Sequence, residues 1–315
     1  MSFTPAASGR LLLGLAALVV VPIPCVASPG ATSLDVGVAV RDVTPAGPIW
    51  LAGYDARRHA SQRVAHPLLA QALALKNPTG ERFVFVALDN CEVSREFIAP
   101  TVRAIEAQQQ LAPGSLMIVC SHTHSGPVVE GPLLWIYGIP EPDLERVTQY
   151  SQQLKQTIAD VVAAALADLQ PAELDYGVGQ ATFAMNRRQF KGGRVILGED
   201  PDGPVDWDVP VLRVKRSDGA VRAIVFGYAC HATTVGGDPK TLATDDWYVV
   251  SADYIGYART HLEAAYPGAS AIFLTGMGAD SNPAPRAKLL AAQRHGLELA
   301  GAVAGVLDRP LRPVR

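Results

Sequence analysis

The segment Ser121-His122-Thr123-His124-Ser125-Gly126-Pro127 directly follows the apolar run Leu116–Cys120. Side chains two apart on an extended chain point to the same side, so His122 and His124 can present two imidazole nitrogens to one centre. Imidazole is the commonest protein ligand for zinc, and a hydrolytic zinc needs about three protein groups plus an open position for water. Taken alone, a His-x-His pair is a weak signal whose default reading is a solvated loop. Other strand ends strengthen the case. One apolar run closes on Ala229-Cys230-His231, a second runs into a Gly-rich turn with Asp280, Ser281 and Asn282, and a third ends at Asp89. In layered α/β folds, ligands and catalytic groups gather at strand ends of this kind.

The remaining polar candidates have two readings each. Asp89, Asp253 and Asp280 either orient metal ligands from behind or cap turns and helices. Asp253 precedes a helical pattern, which suits a cap at least equally well. On residue type alone, Arg187 and Arg188 are a surface charge pair. His59, His66, His261 and His295 read as incidental.

Taken in order, SHTHSGP, ACHATT, the MNRR segment and the turn GADSNP resemble the neutral, non-lysosomal ceramidase family in its amidohydrolase domain. The early VRDVTPAGPIWLAGYDAR, then GPVDWDVPVLRV and SADYIGYA, extend the resemblance over the chain from about Leu34 to the NPAPR turn. The likeness is nearest to a bacterial branch of uncertain substrate. It implies zinc-dependent hydrolysis of an amide, with an N-acyl sphingolipid or related lipid amide as substrate. Zn2+ would be bound by His122 and His231. His124 would transfer protons or position the oxyanion beside the metal, and Arg187 would hold a substrate oxygen. Such a substrate also implies contact with a membrane surface.

Two departures from the family pattern bear on this chemistry. Asn282 stands where the family's turn commonly has a serine assigned to catalysis, so a hydrogen bond from Asn282 and attack by water replace a seryl intermediate. The family completes its zinc site with a glutamate and a tyrosine far downstream, whereas the sequence ends at Arg315 after one more helical pattern. Three expectations follow: a truncated reading, local substitutes such as Asp89, Asp253 or Tyr254, or an incomplete centre in a non-catalytic domain. A metallohydrolase acting on an ester or a non-lipid amide is a further alternative. The stretch GPLLWIYGIP, Gly131 to Pro140, bears on substrate: exposed, it suits an acyl chain, and buried, it is ordinary core.

These residues need a layered scaffold to converge, and the pattern supplies one. The chain has 315 residues and a formal net charge of −3, which argues against nucleic acid or a polybasic membrane tether. Residues 1–27 have a weakly basic start, a short apolar core, and Cys25 and Ala27 at the −3 and −1 places of a cut before Ser28. That is the pattern of a secretory signal peptide, with export as the expected outcome and residues 28–315 as one hydrolase domain. Cys91, Cys120 and Cys230 remain, so at most one disulfide can form; Cys120 and Cys230 read as buried hydrophobes.

Period-2 alternation predicts a strand at SLDVGVAVRDVTP and a hairpin of LLAQALALKN and ERFVFVALDN around NPTGE. Ser94 caps a predicted helix, and Leu144, Val147, Leu154, Ile158, Val162, Leu166 and Leu169 mark a long one. AELDYGVGQATFAM reads as one strand and Lys191 to Asp208 as a loop. VPVLRVKR and VRAIVFGYAC form a hairpin around SDGA. A helix at DYIGYARTHLEAAY, a strand at AIFLTG and a helix at AKLLAAQRHGLELAGAVAGVL close the chain. No internal repeat is seen. The whole reads as an α/β fold, a layered sheet with flanking helices and active-site residues at strand ends.

Overall fold

The computed structural model describes residues 34–131, 134–236 and 246–314, besides Met1. The expected signal segment lies outside the described residues, and no helix among them is long and apolar enough to cross a membrane.

In chain order the elements are β1 (Leu34–Asp42), β2 (Arg63–Val64), β3 (Leu69–Lys76), β4 (Arg82–Leu88), α1 (Arg95–Gln108), β5 (Leu116–Cys120), α2 (Leu134–Tyr137) and α3 (Glu141–Ala167). They continue with β6 (Gln170–Gln180), β7 (Ala184–Lys191), β8 (Arg194–Asp200), β9 (Asp208–Arg216), β10 (Val221–Tyr228), β11 (Val249–Val250), α4 (Asp253–Ala265), β12 (Ser270–Thr275), β13 (Ser281–Pro283), α5 (Leu289–Leu307) and β14 (Arg312–Pro313). The main sheet runs β12-β10-β9-β6-β1-β3-β4-β5, with β14 added beside β6.

Although the sequence shows no repeat, the topology does. In the first half β1–β3 and β3–β4 are antiparallel and β4–β5 parallel; in the second, β6–β9 and β9–β10 are antiparallel and β10–β12 parallel. The two halves join at the antiparallel pair β1–β6. A faint sequence echo accompanies this, Leu34-Asp35-Val36-Gly37-Val38 against Leu174-Asp175-Tyr176-Gly177-Val178.

Alternation along the strands creates two apolar faces. Val36, Leu73, Ala87, Leu174, Val214, Val225 and Ile272 pack together between the halves. On the outer face of the first half, Ala72, Val84 and Val86 meet α1 and α3; on that of the second, Ile224, Phe226 and Phe273 meet α4 and α5. The result is helix, sheet, sheet, helix, which is the expected α/β layering. Gly37 lets α3 approach the sheet, since a Cβ there would lie 1.9 Å from the Ala165 carbonyl oxygen. Gly177 does the same for α5, with Val306 2.7 Å from its position.

The two ends of the sheet curl until they meet. Thr275 Oγ1 donates to the Cys120 carbonyl at 2.9 Å, and Gln71 Nε2 donates to the Ala271 carbonyl at 2.8 Å. Gln71 Oε1 accepts from Arg259 Nη1 at 3.1 Å, and Arg259 Nη2 is paired with Asp89. Asp89 also accepts from Leu69 N at 2.9 Å. Both charges are buried, with side-chain exposures of 3% for Arg259 and 1% for Asp89.

Two expectations are corrected. The Lys191–Asp208 segment is not a loop throughout, because β7 and β8 form a hairpin around Gly192-Gly193, with φ of 61° and 76°. Positive φ at both central residues is what a two-residue hairpin turn requires. AELDYGVGQATFAM is two strands, broken between Gln180 and Ala184. The hairpin, the Ser94 cap (accepting from Phe97 N at 3.1 Å) and the long helix are found as expected. All three described cysteines are free.

Gly37→Ala is expected to destabilise the fold by about 1–3 kcal/mol, since sheet and helix backbones must separate. Gly305→Ala, in α5 with nothing within 4 Å, should stabilise it by about 0.5–1 kcal/mol. Arg259→Met should cost roughly 3–5 kcal/mol by stranding Asp89, and less when combined with Asp89→Leu. Urea unfolding midpoints of the four variants check these signs.

Candidate metal centre

The curled sheet brings the carboxyl ends of two parallel strand pairs together. Just beyond β5 and β10, Thr123 and Ala232 form an isolated parallel bridge, and His124 N donates to the Ala232 carbonyl at 3.1 Å. This juncture gathers His122, His124 and His231, whose ring centroids are 4.8 Å (122–124), 4.6 Å (122–231) and 5.8 Å (124–231) apart.

His122 sits at φ 60°, a left-handed conformation that costs a non-glycine residue on the order of 1–3 kcal/mol. Its ring is fixed by Nδ1, which donates to the Cys91 carbonyl at 2.7 Å. His231 is fixed likewise, Nδ1 donating to the Gly278 carbonyl at 2.7 Å. A carbonyl can only accept, so each ring carries a proton on Nδ1, which in the neutral tautomer leaves the lone pair on Nε2. That is the arrangement by which outer hydrogen bonds aim histidine ligands at a metal. Burial above all, with the Arg187 charge adding to it, lowers His231 to about 4. Burial and the neighbouring histidines hold His124 well below the usual imidazole range. His231 and His124 are therefore neutral at physiological pH.

The Nε2 atoms of His122 and His124 lie 3.2 Å apart. Two imidazole nitrogens on a tetrahedral zinc are separated by roughly 3.3 Å, given bonds of about 2.0–2.1 Å. The His122–His124 pair therefore has the spacing of two ligands on a zinc-like ion, and the His231 ring stands 4.6 Å from that of His122 between centroids. One donor atom each from Cys91, His122 and His124 falls within a 4.8 Å cluster, which does not include His231. Cys91 Sγ is 3.8 Å from His122 Nδ1, and burial pushes its thiol up.

Arg187 and Asn282 stand together beside the histidines. β13 pairs with β7, so Asn282 lies opposite Met185 and Ser281 opposite Asn186. Arg187 Nη1 donates to Asn282 Oδ1 at 3.3 Å and Arg187 Nε to the Ala279 carbonyl at 3.1 Å. Thr233 Oγ1 also donates to Asn282 Oδ1 at 3.3 Å, and His231 N to the Ser281 carbonyl at 3.1 Å. Ser281 Oγ turns away to Asp280.

The other acidic and tyrosyl candidates are engaged elsewhere. Asp89 is held in the ion pair with Arg259. Asp253 accepts from Val235 N at 2.8 Å and Tyr254 N at 2.6 Å, serving the start of α4, and Tyr254 donates its hydroxyl to the Cys230 carbonyl at 2.8 Å. His59 stacks on Tyr248 and His295 on Phe183.

The sequence reading gave no role to Cys91, Gly53 or Tyr54. Gly53 abuts the His124 ring, where a Cβ would lie 2.4 Å from Cγ, and Tyr54 meets that ring edge-on at 4.9 Å. Gly53 N donates to Tyr137 Oη at 3.1 Å, tying α2 to the site. On α2, Trp135 is 79% exposed and Ile136 38%, while Leu134 and Tyr137 pack on the core. Pro132 and Leu133 lie outside the described residues. The Gly-Tyr pair in LAGYDAR is the signal that points to Gly53 and Tyr54; for Cys91, the signal is its place just past a strand end.

The family model described as neutral/alkaline non-lysosomal ceramidase, N-terminal, matches residues 34–281. Among curated proteins no sequence match is found. The crystal structure of neutral ceramidase from Pseudomonas aeruginosa superposes with a TM-score of 0.70 at 20% identity, over 90% of this chain and 46% of that one. A structure described as ceramidase complexed with C2 gives 0.69 at 20% identity, over 90% and 45%. The chain thus spans about half the length of the solved structures it matches, and at this identity the likeness concerns the fold. With most of its length covered by the family model, the chain belongs to the neutral/alkaline non-lysosomal ceramidase family.

Proposed function

We propose that this protein is a zinc-dependent amidohydrolase that cleaves the amide of an N-acyl sphingolipid, such as ceramide, or of a related lipid amide. The observation that carries the reading is the convergence of His122 and His231 from the two halves, each with Nδ1 spent on a backbone carbonyl, and with His122 Nε2 3.2 Å from Nε2 of His124. These two residues would hold the zinc. Bound there, zinc supplies a water whose pKa is lowered toward about 7.

The protein's own groups do the rest. His124, neutral and beside His122, accepts a proton from the attacking water and returns one to the departing amine. Arg187 has two donors committed to Ala279 and Asn282, which fixes the plane of its guanidinium. Its Nη2 has no bond to a described residue and is the donor left for the carbonyl oxygen of the substrate. Asn282 positions Arg187 through Oδ1 and keeps its amide group for the same oxygen. With Ser281 turned to Asp280, attack by water is favoured over a seryl intermediate.

Trp135 and Ile136, exposed on a helix tied to the site through Tyr137 and Gly53, support an acyl chain on the substrate. A lipid of this kind would be met at a membrane surface. Export after cleavage near Ala27 is part of the same proposal.

Elemental analysis of the purified protein should give about one zinc per chain, lost in His122→Ala and in His231→Ala together with hydrolysis of an N-acylsphingosine. Arg187→Ala should keep its zinc and lose about 10²–10³-fold in kcat, the usual effect of removing one oxyanion donor. Full metal content in both histidine variants, or no amide cleavage by the zinc-loaded parent, would contradict the reading.

A further inference from the structure

We infer that Tyr54 is the residue that positions His124, holding the imidazole by packing where no hydrogen bond does, and that Arg286 in turn holds Tyr54. The inference rests on the proton-transfer role proposed for His124 and deepens it.

The histidines of the centre are fixed in different ways. His122 and His231 each spend Nδ1 on a backbone carbonyl, at 2.7 Å in both cases. His124 Nδ1 is buried and has no hydrogen-bond partner among the described residues. Its ring makes a polar contact through Nε2, 3.2 Å from Nε2 of His122. An imidazole without a bond at Nδ1 can turn about its Cβ–Cγ bond, whose torsion is broad rather than confined to three wells. Turning would carry Nε2 away from His122, so another constraint must fix the ring.

Gly53 and Tyr54 supply it. Gly53 stands against the base of the ring, where a Cβ would lie 2.4 Å from Cγ, 2.5 Å from Nδ1 and 2.7 Å from Cβ of His124. Its φ of 94° is one that glycine adopts readily. Tyr54 meets the same ring edge-on, with centroids 4.9 Å apart and planes at 61°, inside the range that aromatic pairs favour. Packing of this kind constrains the direction of the ring without fixing its tautomer.

Tyr54 can serve as a wall because its own neighbours hold it. Trp247 packs on its ring at 4.8 Å, and the Arg57 guanidinium stands 5.0 Å from the Tyr54 centroid and 5.1 Å from that of Trp247. Arg57 is 1% exposed and donates to the Ala52 carbonyl at 2.6 Å and to the Trp247 carbonyl at 3.2 Å, which closes the turn carrying Gly53 and Tyr54. Arg286 Nη2 donates to Tyr54 Oη at 3.2 Å. Burial pushes the Tyr54 hydroxyl up to about 12, so the neutral phenol accepts this bond. Trp247 and Arg286 belong to the second half of the chain, and Tyr54 and His124 to the first. The junction that gathers the histidines therefore also sets the wall behind one of them.

Kinetics and the spectrum of the ring test this together. Tyr54→Leu should keep its zinc and its KM and lose about 10²-fold in kcat, the scale on which a small misplacement of a reacting group is felt. Tyr54→Phe keeps the aromatic ring and should recover most of that loss, which a role in stability alone does not predict. In protein carrying isotopically labelled histidine, the ring cross-peaks of His124 are assigned by their disappearance in His124→Gln. They should move in Tyr54→Leu and stay near their parental positions in Tyr54→Phe, with His261, exposed on α4, as the unmoved control. If Tyr54→Leu does not fold, Tyr54→Met, whose flexible chain fills irregular gaps, takes its place. Unmoved His124 cross-peaks, a parental kcat, or a loss carried by KM or by zinc content in the Leu or Met variant would overturn the inference. Should the zinc-loaded parent cleave no amide, the proton-transfer reading fails on its own, and the His124 cross-peaks alone decide whether Tyr54 positions the ring.

Discussion

Everything at the centre depends on the buried pairing of Arg259 with Asp89 and Gln71, which ties helix α4 of the second half to strands β3 and β4 of the first. Two charges removed from water are tolerable only when they meet each other and their remaining donors and acceptors are satisfied. Here Asp89 also takes Leu69 N, and Gln71 passes the connection on to Ala271 on β12. The clamp lies one step behind the strand ends that carry chemistry. Asp89 immediately follows β4, and Cys91 is two residues further on. A slip at the clamp would therefore move the carbonyl that orients His122.

Each half of the molecule supplies an incomplete set. The first brings His122 and His124; the second brings His231, Arg187 and Asn282. Neither half alone presents both convergent imidazoles and the arginine, so the curling of the sheet is what turns ordinary strand ends into one centre. The same division explains the strained His122 backbone. Its left-handed conformation lets Nδ1 reach back to the Cys91 carbonyl while the ring stands 4.6 Å from that of His231, and such strain persists where surrounding contacts over-determine it.

Much of this was legible in the residues. Strands buried on both faces announce themselves as unbroken apolar runs, as β10 does, and the period of α3 is plain over its length. The His-x-His pair and Ala-Cys-His segment were found because a polar side chain at the end of such a run stands out. What escaped had weaker signals. β7 and β8 belong with β13 to a separate small sheet with much of its surface in water, so Phe190, Val195 and Leu197 sit exposed among charges and the alternation reads as loop. The duplication is carried by backbone topology with hardly more in sequence than the Leu-Asp-x-Gly-Val echo, because many different apolar side chains satisfy the same layer. Asp89 looked like a candidate for the metal's surroundings; only its contacts show that its charge is spent on Arg259. The contact of Cys91 with His122 joins residues 31 positions apart, which no local pattern announces.

The central claim is that the two halves meet around one metal. Anomalous diffraction from crystals grown with zinc, recorded on both sides of the zinc absorption edge, tests it most directly. The account predicts a single strong peak within bonding distance of Nε2 of both His122 and His231. A map with no peak between those two rings, or with zinc bound only at surface residues, would contradict it.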